Sequence, residues 1–181
     1  MSRALGARRA DVAQLVEHVL GKDGVSGSIP LIGSRNFTGE EVVLGLLRSS
    51  AASSHLRLAE GLIKTAEIGE APSEYEIRNA FSRSYYALFH ASHGYLRAAG
   101  VGVMSTGRKY HGSLHAEMGR QMGRSLGQFL RSAYGLRRNS DYQPDWSVPP
   151  FYSCVERLKE ARGHYYFVKR TAENLISRAQ G

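Results

Sequence analysis

The stretch SEYEIRNAFSRSYYALFHASHGYLRAAG, Ser73 to Gly100, limits what this chain can become more than any other. Ser73 and Glu76 stand in capping-box spacing, so each side chain can satisfy an orphan amide of a first helical turn. Gly100 is the residue type best suited to the left-handed position that ends a helix. No proline falls between them, and no glycine before Gly94. Ile77, Ala80, Phe81, Ser84, Leu88 and Ala91 recur at helical spacing on one face. Tyr85, Phe89 and Leu96 make a second apolar side. A helix apolar on more than one side belongs in the middle of its domain. Arg83 and His90 interrupt it. They lie two turns apart on one stripe, with Tyr86 between them.

The flanking segments also read as helices. Glu40 and Glu41 suit the first turn of one, because the helix dipole favours anions there. Ala52, Leu56, Ala59, Leu62, Ile63 and Ala66 carry its stripe to Ile68, where Gly69 and Pro72 end it. The run SSAASS from Ser49 is a candidate break into two pieces. A glycine-containing loop is expected over Val101 to Gly107. A third helix is expected over Tyr110 to Met122, marginal for its Gly112 and Gly119, and a fourth over Ser125 to about Tyr142. Pro144, Pro149 and Pro150 mark a loop. The last helix has the clearest period, from Cys154, Val155 and Leu158 to Ile176 and Ala179. No segment alternates as a strand would. The expected fold is all-α, an up-and-down bundle of four to five helices over residues 39–181.

Residues 1–38 are expected to lie outside that fold. Gly21, Gly24, Gly27, Pro30 and Gly33 would break any long helix there. Back-translation points to an origin for the segment. Val12 to His18 is what GTA-GCT-CAG-TTG-GTA-GAG-CA would encode, which resembles the D-arm of a bacterial transfer RNA gene. Gly27 to Pro30 is what GGT-TCG-ATT-CC would encode, which resembles the T-arm, and the two arms agree in frame and spacing. Residues 10–34 thus resemble a conceptual translation of such a gene, ahead of the true start. No Met lies between Met1 and Met104, so that start would use another codon, at Val42 or Val43.

The chain's 181 residues suffice for one domain with a real core. No apolar run approaches the roughly 20 residues of a membrane span. The lone Cys154 excludes an intrachain disulfide and makes a reducing cytoplasm the default location. The net charge of +8 points to an anionic partner, with nucleic acid the first candidate. Arg83 is suited to a phosphate or carboxylate, and His90 to general-base or hydrogen-bonding work. On the plainer reading both are structural. Arg137 and Asp141 are one turn apart and can pair, with Tyr142 beside them. His111 and His115 have i, i+4 zinc spacing but no third ligand at a recognisable distance, so no metal site is expected. No phosphate loop, nucleophile elbow or cofactor motif is present.

Together these residues resemble a HEPN domain (higher eukaryotes and prokaryotes nucleotide-binding). The family's central helix reads approximately R-A-Y-Y-A-x-F-H-A-A, and Arg83 to Ser92 read RSYYALFHAS. A histidine ahead of the family's third helix matches His111. The family's R-x-x-A-D-Y matches Arg137 to Tyr142, with Ser140 in place of Ala. The likeness runs from about Gly39 to Gln180. It implies a helical bundle that forms homodimers, and a toxin or toxin-like component of a two-gene system with a minimal nucleotidyltransferase. It further implies binding, and in some relatives metal-independent cleavage, of RNA or nucleotide. The ribonuclease members use Arg-x(4–6)-His at the dimer cleft. Here Arg137 is followed by Asp141 and Tyr142 and no His, so no catalytic residue is assigned. The expected binding residues are Arg83, Tyr86, His90, Arg137, Asp141 and Tyr142, with His111 accessory. The stripe of Arg83, Tyr86 and His90 is expected to face the Arg137 end of the fourth helix. The alternative is a non-catalytic structural or protein-interaction domain, in which the same side chains form a buried network. Mass spectrometry of the native N-terminus tests the start: peptides from residues 1–34 are expected to be absent, and their detection refutes the transfer RNA reading.

Overall fold

Ser73 caps its helix as its spacing requires. Its Oγ accepts from the Glu76 amide at 3.3 Å, and the Glu76 carboxylate accepts from the Ser73 amide at 2.7 Å. The other end closes with Gly100 at φ +71. There the Gly100 amide donates to Arg97 O at 3.1 Å and the Val101 amide to Leu96 O at 2.8 Å, the two bonds of a Schellman ending. The helix between these caps, Glu74–Ala98, is α2 of a computed structural model that describes residues 39–102 and 109–180. The others are α1 (Gly39–Lys64), α3 (Tyr110–Met122), α4 (Arg124–Tyr142) and α5 (Phe151–Gln180). The protein is an all-α helical bundle, with no strand among the described residues. The expectations for residues 1–38, and for most of the loop after Val101, lie outside the described residues.

Helix α2 packs against each of the other four. Both of its apolar sides are therefore used. Tyr85, Leu88, Phe89 and Leu96 join Leu56, Leu114, Leu130, Tyr165 and Val168 in the main core. Ile77, Ala80 and Phe81 join Cys154 and Leu158 in a smaller one, closed over by Trp146, Leu136 and Val148. Cys154 sits in that core as expected. Helix α1 differs from expectation in two ways. The serine run does not break it, because Ser49 is buried and Ser54 Oγ returns its hydrogen bond to Ser50 O at 3.1 Å within the helix. The helix stops at Lys64 rather than Ile68. The Thr65 and Ala66 amides turn back to Leu62 O and Ile63 O at 3.2 Å, a tightened last turn, and Thr65 Oγ1 also bonds Leu62 O.

Two glycines that propensity alone disfavours mark helix crossings. A Cβ on Gly94 would lie 2.9 Å from Leu56 Cδ2 and 3.1 Å from Ala52 O, where α1 crosses α2. A Cβ on Gly127 would lie 2.8 Å from both Gly119 Cα and His115 O, where α3 and α4 meet. Gly119, one of the two glycines that make α3 weak on its own, thus lets α4 approach its backbone.

One side chain joins α2 to the far end of α4. Arg78 Nη1 donates to Asn139 O at 3.3 Å, Ser140 O at 3.4 Å and Gln143 O at 2.9 Å. Its Nη2 donates to Pro144 O at 3.1 Å and Trp146 O at 2.7 Å, and the Trp146 ring lies 5.3 Å from the guanidinium carbon. The last carbonyls of a helix have no intrahelical partner. A cation from the neighbouring helix supplies one here and holds the following loop as well. Glu74 fixes the guanidinium from behind, its carboxylate 2.7 Å from Nε. Arg78→Ala is expected to cost about 2–4 kcal/mol in urea unfolding. Arg78→Lys is expected to recover less than half of that, because one ammonium cannot span five carbonyls.

Candidate functional site

Because Arg78 fixes the end of α4, the side chains of its last turns have defined places. Arg137 is buried, rare for an arginine and stable only with partners. Its Nε lies 2.8 Å from Asp141 Oδ2, one turn on. That N–H does not point along the line to the oxygen, so the contact is an ion pair rather than a hydrogen bond. Its Nη2 donates to the hydroxyls of Tyr86 and of Tyr142, the latter at 2.9 Å. The guanidinium carbon lies 4.9 Å from the Tyr86 ring centre and 4.8 Å from that of Tyr142, within cation–π range of both. Ser82 Oγ donates to Asp141 at 3.3 Å. Four of the expected residues, Tyr86, Arg137, Asp141 and Tyr142, therefore meet in one cluster. Tyr142 is 67% exposed, so a buried cation is joined to solvent through an accessible ring.

Arg83 and His90 are not in this cluster. Arg83 Nε donates to Asn79 Oδ1 at 2.9 Å and its Nη1 to Thr65 Oγ1 at 3.0 Å. His90 Nδ1 lies 3.2 Å from His55 Nδ1 on α1. The stripe exists, but its two ends engage α1 and the turn that follows it, and only Tyr86 reaches α4. The reason is geometric. Residues seven apart share a face, and α1 occupies that face of α2 along its length.

His90 belongs to a set of imidazoles. His55 stacks on His90 at 5.4 Å and on His93 at 5.0 Å between centres. Phe89 and Tyr110 pack against His93 at 5.0 and 5.3 Å. Both nitrogens of His93 are buried and make no hydrogen bond. The 3.2 Å approach of two Nδ1 atoms needs one proton between them, so one ring donates and the other accepts. Burial holds these rings neutral: it pushes His90 down to about 4 and His93 to about 3, with neighbouring His55 adding repulsion at each. His55 is lowered too, by burial and then by Arg97.

A third group lies between α2 and α3. The hydroxyl of Tyr85 is 2.6 Å from His111 Nδ1 and 3.1 Å from His115 Nε2. One hydroxyl has one proton to give, so it donates to one imidazole and accepts from the other. Tyr134 covers the pair, stacked on His111 at 4.7 Å. Burial drives the Tyr85 hydroxyl pKa far up and pushes His115 down to about 4. His111, in the first turn of α3, is lowered by burial and then by the charge of Arg137. The accessory histidine and the Arg137 cluster are thus in electrostatic contact. Their rings are linked as well, since Tyr85 and Tyr86 lie 5.5 Å apart edge to face.

Sequence reasoning missed Arg78, Tyr85, His55 and His93. Tyr85 read as apolar, and its ring is; its hydroxyl partners come from a helix 26 and 30 residues away. His55 carried no signal, because it stands singly on α1 and meets its partners only across the helix crossing. His115 stood out for zinc spacing and serves a tyrosine instead. Among the described residues no group of three or more His, Cys, Asp or Glu is placed to hold a metal ion, and no helix is long and apolar enough to cross a membrane.

The chain matches no protein-family model and no curated protein. Fold and side chains define an all-α helical bundle with an arginine held between two tyrosines at one helix end and an aromatic–histidine interior.

That interior sets an acid limit on stability. Histidines held neutral when folded take up protons on unfolding once the pH falls below their ordinary value of 6.5. The unfolded chain then binds more protons, so stability falls as pH drops from about 6.5 towards 4. Each such group contributes a slope of up to about 1.4 kcal/mol per pH unit. Urea unfolding at stepped pH is expected to show this decline. His90→Gln is expected to flatten it.

Proposed function

We propose that the chain is a HEPN-like protein, the toxin or toxin-like component of a two-gene system with a minimal nucleotidyltransferase partner. On this reading it works in the cytoplasm as a homodimer and binds RNA or a nucleotide at the α4 end of the bundle. The motif order from Arg83 to Tyr142 suggests the family. The observation that carries the binding site is Arg137, a buried guanidinium between Tyr86 and the exposed Tyr142. An exposed phenol offers a face on which a base can stack, and a cation behind it stabilises a nearby phosphate. The net charge of +8 favours such a ligand throughout.

One observation favours the structural alternative. Arg137 already spends Nε on Asp141 and Nη2 on two phenols, so a phosphate would compete with partners in place. Cleavage would need a base near the arginine. His111 is the candidate, since Arg137 acts on it directly and its Nε2 has no partner among the described residues.

Two measurements separate the readings. In nucleotide and oligoribonucleotide titrations, Tyr142→Ala is expected to weaken binding about tenfold, as for loss of one stacked base, with a modest fall in melting temperature because Arg137 keeps Tyr86 and Asp141. If the wild type binds no RNA or nucleotide, and Tyr142→Ala and Arg137→Lys change only stability, the cluster is structural. Incubation of the purified protein with total RNA, with His111→Ala as control, then separates a binder from a nuclease.

A further inference from the structure

Several exposed cations among the described residues have no hydrogen-bond or ion-pair partner, and three of them stand in line along one face of α4. Arg124, Arg131 and Arg138 are all exposed, and none has an ion-pair or hydrogen-bond partner. They are seven residues apart, two turns each, so they form one line with successive positions about 10.5 Å apart along the axis. Gln128 and Gly135 fill the places between them on the same face. The only acidic residue of α4 is Asp141, which is already paired with Arg137. The face is therefore cationic from end to end without a carboxylate. A Cβ on Gly135 would meet nothing within 4 Å, so the line opens to solvent at its middle. The large exposed apolar side chains lie elsewhere, on α1, α5 and the start of α2. The exception is Tyr142, just past the end of the line.

Like charges in a row repel one another, and without a compensating partner they lower stability. Such a row is explained by a ligand with regularly spaced negative charge. A lipid surface would call for apolar side chains flanking the cations, and this face has none. A nucleic acid needs only the charges and, if single-stranded, a ring for an unpaired base, which Tyr142 provides. We infer that the Arg124–Arg131–Arg138 face of α4 is a track for the backbone of single-stranded RNA, leading to the Tyr142 end of the helix. The inference rests on the RNA-binding reading above and adds to it a surface, a direction and a strandedness.

Anisotropy titrations of the full chain with labelled oligouridylate, between about 50 and about 200 mM salt, test it. Three phosphate contacts on a single strand correspond to a log–log salt slope of about 2. The triple variant Arg124→Gln/Arg131→Gln/Arg138→Gln is expected to bind tenfold or more weakly and to lose a slope of about that size. Gly135→Glu places a carboxylate in the line where there is room for it. It is expected to weaken binding while the melting temperature holds or rises, because glutamate is the better helix former. The equal-charge control Arg48→Gln/Arg170→Gln/Arg178→Gln, on other helices, is expected to keep most of the affinity. If the α4 variant binds like the wild type, or no more weakly than this control, the track is refuted while RNA binding stands. If the wild type does not bind oligouridylate, the track fails together with single-stranded RNA as its ligand, and the nucleotide arm of the reading above stands or falls by its own titration. Preference for a duplex, or equal competition by polyglutamate, overturns the assignment to single-stranded RNA.

Discussion

Arg78 is the tie on which the candidate site depends. Helix α4 ends against a loop with three prolines, where only the Asn139 carbonyl receives a following amide, from Gln143 at 3.1 Å. Arg78 reaches from the first turns of α2 and takes five carbonyls, two in the last turn of α4 and three in the chain beyond it. A planar guanidinium can do this because its donors point in several fixed directions at once. The interaction sets where α4 stops and how its last turn faces α2. With that turn placed, Arg137, Asp141 and Tyr142 meet Tyr86 and Ser82. Without it these residues would sit at a frayed helix end, and a buried arginine there would have too few partners to stay buried.

The bundle's interior is unusual in its polarity rather than its size. Between α1, α2 and α3 lie five histidines in contact with tyrosine and phenylalanine rings. Their flat faces pack like apolar side chains; His55 and His90 meet at a nitrogen each, Tyr85 bridges His111 and His115, and both nitrogens of His93 stay without a partner. Neutral imidazoles allow this arrangement and charged ones do not. The same burial that removes their charge makes the fold dependent on their remaining neutral. The cationic side chains are sorted away from that interior. Arg137 is the exception, enclosed by two aromatic rings and a carboxylate, and the free arginines of α4 are all at the surface.

Much of the bundle could be read from the chain because helices are encoded locally. The cap pair Ser73 and Glu76, the terminal Gly100 and the two apolar sides of the central helix depend on residues within a turn or two, and each took its expected place. The bounds of α3 and α4 followed in the same way. The grouping of Tyr86 with Arg137, Asp141 and Tyr142 was half legible: three of the four share a short motif at one helix end. The expected companionship of Arg83 and His90 with that group was wrong in direction. A shared stripe tells which residues point together, and not at which neighbour. The serine run misled for a related reason, since its poor propensity mattered less than the burial of Ser49 and Ala52 against α2.

By itself the sequence determined the helices, the caps of Ser73 to Gly100 and the central position of that stretch. All of these follow from periodicity, and periodicity is a property of neighbours in the chain. Only the tertiary structure decided that α1 covers the Arg83–His90 stripe, that Tyr85 bridges two histidines of α3 and that Arg78 closes the end of α4. Those partners lie from 18 to 68 residues apart. Contacts at such separations are chosen by how whole helix surfaces fit together, with Gly94 and Gly127 setting how closely two pairs of helices approach. No spacing within a single helix records that choice.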